Sequence, residues 1–292
     1  MHESRKRLLG VIGGSQAYTL VKEEKFSGER IGPLRTPFGS SQPVYRIKNG
    51  ETQFLLLSRH GENRYCLTPT FVNYRANIFA LKEIGATHII AWSGPGSFSK
   101  DLPPGSFVIV DDIIDNTTAR SKTFFENTGV GFIRMSEPFC PSMRALISDT
   151  MKELNIECVS GATYVCTEGP RLETPAEIRM YKMLGANLVG MTLAPEVFLA
   201  KELELCYAAI CYVTNYAEGI KDAPLDPEVL FGGMADEEEL EKVRSAVDTF
   251  PAIIKALAAN LPSILSDCSC AQSMSRYKKS GRLNDDWRTW FE

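Results

Sequence analysis

Short apolar runs of the β type alternate along this chain with longer stretches of helical periodicity. That alternation confines the fold to the α/β class, with a mainly parallel or mixed sheet covered by helices. Strands are predicted over Leu8–Ile12, Phe54–Leu57, His88–Trp92, Phe107–Val110, Ala162–Cys166, Leu188–Val189 and Ala208–Thr214. Helices are predicted over Phe71–Gly85, Ser142–Leu154 and Glu237–Leu261 from apolar residues recurring near helical spacing. Another helix start is marked by Thr174-Pro175-Ala176-Glu177, a capping box with proline at the first helical position. The 292 residues fit one large α/β domain. The expected organisation is a single domain over residues 1–261, with a central mixed β-sheet flanked by helices. A polar, peripheral tail is expected over 262–292.

Composition excludes several classes. Hydrophobic residues make up 44% and charged residues 23%, so the chain can bury a full core without a disulfide or metal. The net charge is −4, and no lysine- or arginine-rich run occurs, which argues against nucleic acid as a partner. Arg5, Lys6 and Arg7 precede the apolar Leu8–Ile12, but that run is too short for a signal peptide. No run approaches the ~20 apolar residues of a membrane span. A cytoplasmic location is expected.

Of eight cysteines, those at 66, 140, 158, 166, 206 and 211 are scattered, and reduced, buried thiols are expected there. Cys268 and Cys270 form a Cys-Ser-Cys. Zinc takes about four ligands, the sequence offers no matching Cys/His cluster, and only three histidines are present. No metal is expected.

Four predicted strands end in small or hydroxyl-bearing residues: Gly13-Gly14-Ser15, Ser58-Arg59-His60-Gly61, Ser93-Gly94 and Gly190-Met191-Thr192. Glycines let backbone N–H groups approach an anion, and hydroxyls add donors. An arginine leaving a strand can grip phosphate with two parallel hydrogen bonds. Each place alone reads as a turn; together they form an anion cradle. The glycine spacing is not Gly-x-Gly-x-x-Gly, which disfavours a nicotinamide-dependent oxidoreductase.

These segments occur in order with Thr36-Pro37-Phe38-Gly39, Asn73-Tyr74-Arg75-Ala76-Asn77, Glu137-Pro138-Phe139-Cys140, Glu168-Gly169-Pro170-Arg171 and Pro195-Glu196. Over roughly residues 8 to 220 the set closely resembles the trimeric purine nucleoside phosphorylases, methylthioadenosine phosphorylase branch. The resemblance implies a homotrimer that uses inorganic phosphate as co-substrate and no cofactor. It implies Ser15, Arg59, His60, Ser93 and Thr192 as phosphate ligands, with the backbone at Gly14 and Gly94. It places Met191 under the ribose, Leu172 against the base, and Asn215 at purine N7 and position 6. Phe132 is expected to reach the 5′ end of a neighbouring subunit's ligand. Asn215, His60 and Arg59 are the residues expected to carry catalysis.

The sequence departs from that branch at the base. Asn215 and Ala217 stand where the methylthioadenosine-type members carry two aspartates. Arg64 replaces a second histidine, and Gln16-Ala17 replace a glycine and a large apolar residue. An amide at 215 can donate to N7 or O6, and Glu173 can accept from N1–H and a 2-amino group, as 6-oxopurine phosphorylases do. Adenine offers N1 as an acceptor, which an ionised Glu173 leaves unpaired at a cost of about 1–3 kcal/mol. The reading is therefore a purine nucleoside phosphorylase favouring 6-oxopurines, with or without a 5′-methylthio group. Methylthioadenosine phosphorylase and a non-catalytic nucleoside-binding protein are the alternatives.

Overall fold

The computed structural model describes residues 7–14, 17–23, 25–63, 66–221, 234–263 and 268–291. In chain order the strands are β1 (Leu9–Gly13), β2 (Gly28–Gly32), β3 (Arg35–Thr36), β4 (Gly39–Ser40), β5 (Val44–Asn49), β6 (Thr52–Ser58), β7 (His88–Ser93) and β8 (Gly96–Ser97). They continue with β9 (Phe107–Ile109), β10 (Asp112–Asn116), β11 (Cys158–Ser160), β12 (Thr163–Thr167), β13 (Leu188–Gly190), β14 (Cys206–Tyr212) and β15 (Asn215–Tyr216). The helices are α1 (Ala17–Lys22), α2 (Tyr74–Glu83), α3 (Pro141–Glu153), α4 (Pro175–Met183), α5 (Leu193–Glu202), α6 (Glu237–Asn260) and α7 (Ser275–Lys279).

One sheet of eight strands runs β11-β9-β14-β7-β1-β6-β5-β2, and a second of five runs β10-β12-β13-β8-β15. The centre of the large sheet is parallel: β1 pairs with β6 and β7, and β7 pairs with β14. β9 and β5 run antiparallel to β14 and β6, so the sheet is mixed, as expected. Three segments cross between the sheets: β7 continues into β8, β9 into β10, and β14 into β15.

The central strands are apolar throughout because both faces are covered. Leu55 and Leu57 of β6 enter one core with α2 and α5, while Phe54 and Leu56 enter the other with α3 and α6. This period of two sends successive side chains to opposite faces, and each fully buried large side chain contributes about 1.5–3 kcal/mol. The capping box at Thr174 forms as expected, with Glu177 returning to the Thr174 backbone.

Two expectations are corrected. The C-terminal segment is not peripheral: Met274, Tyr277, Leu283, Trp287 and Trp290 are buried in the same core as α2, with Trp287 against Phe79 at 4.9 Å between ring centres. The thiols also differ. Cys66 is exposed and Cys158 half-buried. Cys268 and Cys270 do have matching partners, since the fold carries Cys140 and Cys206 to them.

Candidate active site

The site lies at the carboxyl ends of the parallel strands, where open α/β sheets place their ligand crevices. Register aligns those ends: Gly13 sits opposite Ser58, Ile12 opposite Ala91, and Ser93 opposite Cys211. The chain therefore leaves β1, β6, β7 and β14 on one side, and β13 of the second sheet ends beside them. A cavity of about 340 Å³ opens there, within the usual range for small-molecule sites. It is lined by Gly14, Arg59, His60, Ser93, Gly94, Leu172, Glu173, Met191, Thr192, Asn215 and Ala217. The strand-end residues picked from sequence thus share one wall. Two expected residues are not among them: Ser15 lies outside the described residues, as do Gln16 and Arg64. Phe132 is exposed and away from this chain's cavity, its N–H donating to the Tyr277 hydroxyl at 2.8 Å.

The polar groups that follow the strand ends are the Ser93 and Thr192 hydroxyls, the His60 imidazole and the Arg59 guanidinium. Arg59 is buried, and its geometry corrects the expected two-pronged grip on phosphate. Its fork is taken by Glu196, with Nε–Oε1 at 2.7 Å and Nη2–Oε2 at 3.1 Å. Nη1 donates to the Trp92 carbonyl and to Thr192 Oγ1, and Nη2 also donates to the Ile12 carbonyl, so all five N–H groups are engaged and Arg59 meets the cavity beside Thr192. Glu196 also accepts from Tyr207 at 2.8 Å. His60 Nδ1 donates to the Leu67 carbonyl at 2.8 Å, because a carbonyl only accepts, and Nε2 is then the acceptor nitrogen. Burial, with Arg59 adjacent, pushes the imidazole down to about 4, so His60 is neutral at pH 7.

Glu173 and Asn215 line the same cavity, and both are buried. Thr167 donates to Glu173 Oε1 at 2.5 Å, and burial raises the Glu173 carboxyl above its ordinary pKa. Asn215 opens β15 just past the crossing from β14. Its Oδ1 accepts from the Thr214 hydroxyl at 2.7 Å, and its Nδ2 donates to the Tyr216 carbonyl at 2.8 Å. The second Nδ2 hydrogen meets the Met234 sulfur at 3.7 Å, a weak acceptor.

Three supporting residues escaped the sequence reading. Arg120 is buried and donates to the carbonyls of Thr167, Glu168, Met191 and Ala194, tying the ends of β12 and β13 to the start of α5. Its Nε pairs with Glu168. Burial alone would raise Glu168, but the N–H groups of Ala119 and Thr118 together with Arg120 bring it to about 2. Tyr164 sits with its hydroxyl 3.3 Å from Ser93 Oγ. Gly190 is required beside it, because a Cβ there would fall 1.9 Å from the Tyr164 hydroxyl. Glu196 occurs in a segment noted for resemblance, but its role as the Arg59 partner needs the fold.

Known proteins agree with this geometry. Residues 9–259 match the family described as "Phosphorylase superfamily". The chain is 37% identical to the 6-oxopurine nucleoside phosphorylase of Pyrococcus furiosus, covering 91% of this chain and 97% of that one. It is also 37% identical to the S-methyl-5′-thioadenosine phosphorylase of Saccharolobus solfataricus, covering 94% and 98%. A crystal structure of a methylthioadenosine phosphorylase from an antarctic soil metagenomic library superposes with a TM-score of 0.81 at 29% identity, covering 94% of this chain and 92% of that one. With the family matched over most of its length and the strand-end cavity in place, this chain belongs to the phosphorylase superfamily.

Proposed function

We propose that this protein cleaves the N-glycosidic bond of 6-oxopurine nucleosides by phosphorolysis, 5′-methylthio nucleosides included, and does so in the cytoplasm. The observation that carries the reading is one cavity lined both by the strand-end anion donors and by Glu173 and Asn215. Equal identity to a 6-oxopurine and a methylthioadenosine enzyme leaves the choice of base to these pocket residues.

In this reading phosphate is held by Ser93, Thr192 and the backbone at Gly14 and Gly94, with Ser15 as the further ligand that the family resemblance implies, and Arg59 turns one Nη1 hydrogen from Thr192 Oγ1 to the anion. Neutral His60 accepts the single P–OH of monohydrogen phosphate at Nε2, leaving ionised oxygens for the other donors and for C1′. Holding phosphate beside C1′ supplies much of the rate. As the C1′–N9 bond breaks, its electron pair leaves with the purine and a phosphate oxygen bonds to the oxocarbenium-like C1′. Asn215 turns its second amide hydrogen from the Met234 sulfur to N7, where charge develops. The proton count closes: the phosphate proton is given up on ester formation, and the purine anion gains one. Glu173 accepts from N1–H, Leu172 packs on the base and Met191 under the ribose. The Arg120 network holds Met191 by its carbonyl. Phosphate is the only co-substrate this chemistry needs.

The assembly in this reading is a homotrimer in which Phe132 closes the neighbour's pocket. Exposed Phe132, Phe71, Met183 and Leu184 are consistent with covered apolar surface in an oligomer. A fully active monomer by light scattering would overturn the assembly.

The deciding experiment is a panel of inosine, guanosine, adenosine, methylthioinosine and methylthioadenosine, each with and without phosphate. Phosphate-dependent release of hypoxanthine and guanine is expected, favoured over adenine by roughly ten- to a hundredfold in kcat/KM. Asn215→Asp with Glu173→Gln should move that preference toward adenine. Wild-type preference for the 6-amino substrates would overturn the base assignment and leave phosphorolysis standing.

A further inference from the structure

Away from the active site, four sulfurs from three separate parts of the chain converge where the C-terminal segment meets the large sheet. Cys140 caps α3, Cys206 opens β14, and Cys268 and Cys270 flank Ser269. All four Sγ atoms lie within 4.8 Å of one another, with Cys206 and Cys268 at 3.2 Å. Three of these residues are buried and Cys268 is half-buried. Zinc–thiolate bonds of about 2.3 Å in a tetrahedron put sulfurs roughly 3.8 Å apart, inside the spread observed here. Disulfides would instead draw the sulfurs into pairs at about 2.05 Å. Four sulfurs within 4.8 Å of one another lie close enough to share one ion.

We propose that Cys140, Cys206, Cys268 and Cys270 form a structural four-thiolate site for zinc. The surrounding fold fixes the ligands without the ion. The Cys140 N–H donates to the Tyr207 carbonyl at 2.7 Å, which holds the α3 ligand beside the β14 ligand. Ser273 donates to the Lys201 carbonyl and the Cys270 carbonyl, and Lys278 pairs with Glu204, which pins the C-terminal ligands next to β14. Cys140 stands at the N-terminus of a 13-residue helix, where orphan N–H groups favour a thiolate. On binding, each thiol gives its proton to solvent and each sulfur donates one pair to the metal. Four protein ligands leave no open position, so the site is structural rather than catalytic. Its effect is to staple residues 268–291 to the core. Tyr277 of that segment accepts the Phe132 N–H, so the staple also steadies the loop carrying Phe132.

The test is the metal and thiol content of the full-length protein, purified without chelator and incubated with zinc. One zinc per chain by mass spectrometry is expected, together with all eight thiols titratable in denaturant plus chelator. The Cys268→Ser/Cys270→Ser variant should lose at least tenfold in bound zinc and expose the C-terminal segment to protease. Should that variant fail to fold, cobalt-loaded wild type decides alone: intense thiolate-to-cobalt charge transfer and tetrahedral d–d bands are expected. Fewer than eight thiols would mean disulfides, and eight thiols with no bound metal would mean packed cysteines. Either result overturns the proposal.

Discussion

Replacing Glu196 by glutamine should remove a large share of this protein's stability, because it leaves the Arg59 guanidinium unbalanced in the interior. Both side chains are 1% exposed. Their two contacts and the Tyr207 hydroxyl share one carboxylate. Breaking a buried pair by removing one partner costs about 3–5 kcal/mol, against total stabilities of about 5–15 kcal/mol. Glutamine keeps the shape but offers one acceptor where the pair needs two, so its amide faces a donor. Arg59→Met should be destabilising for the converse reason. The double variant buries neither charge, so its loss should fall short of the sum by about 1–3 kcal/mol. Urea unfolding followed by tryptophan fluorescence, at one fixed protein concentration because assembly shifts the midpoint, measures all three. The Glu196→Gln enzyme should also show a larger rise in KM for phosphate than for nucleoside, since this pair fixes the Arg59 guanidinium that donates to Thr192. Losses that add within about 0.5 kcal/mol would refute the coupling.

Gly190→Ala should lower kcat/KM for phosphate at least tenfold, because its Cβ displaces Tyr164 and with it Ser93; adding Tyr164→Phe should recover part of the loss, and an unchanged KM for phosphate in Gly190→Ala would contradict this. The ratio of adenosine-type to inosine-type kcat/KM should rise as pH falls. Burial already raises the Glu173 pKa, and its protonated form donates to adenine N1 where the carboxylate cannot. A ratio flat between pH 8 and pH 5, or unchanged in its slope by Glu173→Gln, would remove Glu173 from base reading.

The parts of this architecture legible in sequence were those written locally. The buried parallel strands are continuous apolar runs, and the hydroxyls, glycines and Arg59-His60 follow directly on their ends. The antiparallel strands Gly28–Gly32, at the sheet edge, and Val44–Asn49 beside it carry polar residues such as Glu29, Arg30, Arg46 and Lys48, which hid them. α5 was missed because it is buried nearly all round, so it has no polar face to give a helical period. Arg120 reaches Tyr74, Tyr164 reaches Ser93 and Glu196 reaches Arg59 across 46, 71 and 137 residues, and no local spacing announces such contacts. The cysteine cluster was dismissed for the same reason, its ligands being a pair at 268 and 270 with two single residues far upstream. The C-terminal segment was misread from its charge, although Tyr277, Trp287 and Trp290 are core residues.

The central claim is that phosphate oxygen bonds to C1′ as the purine leaves. Turnover of inosine with phosphate labelled by oxygen-18 at all four positions tests it directly. Mass spectrometry should find a sugar 1-phosphate carrying all four labels, formed in step with hypoxanthine. Hypoxanthine released with unlabelled free sugar, or released equally without phosphate, would contradict the account.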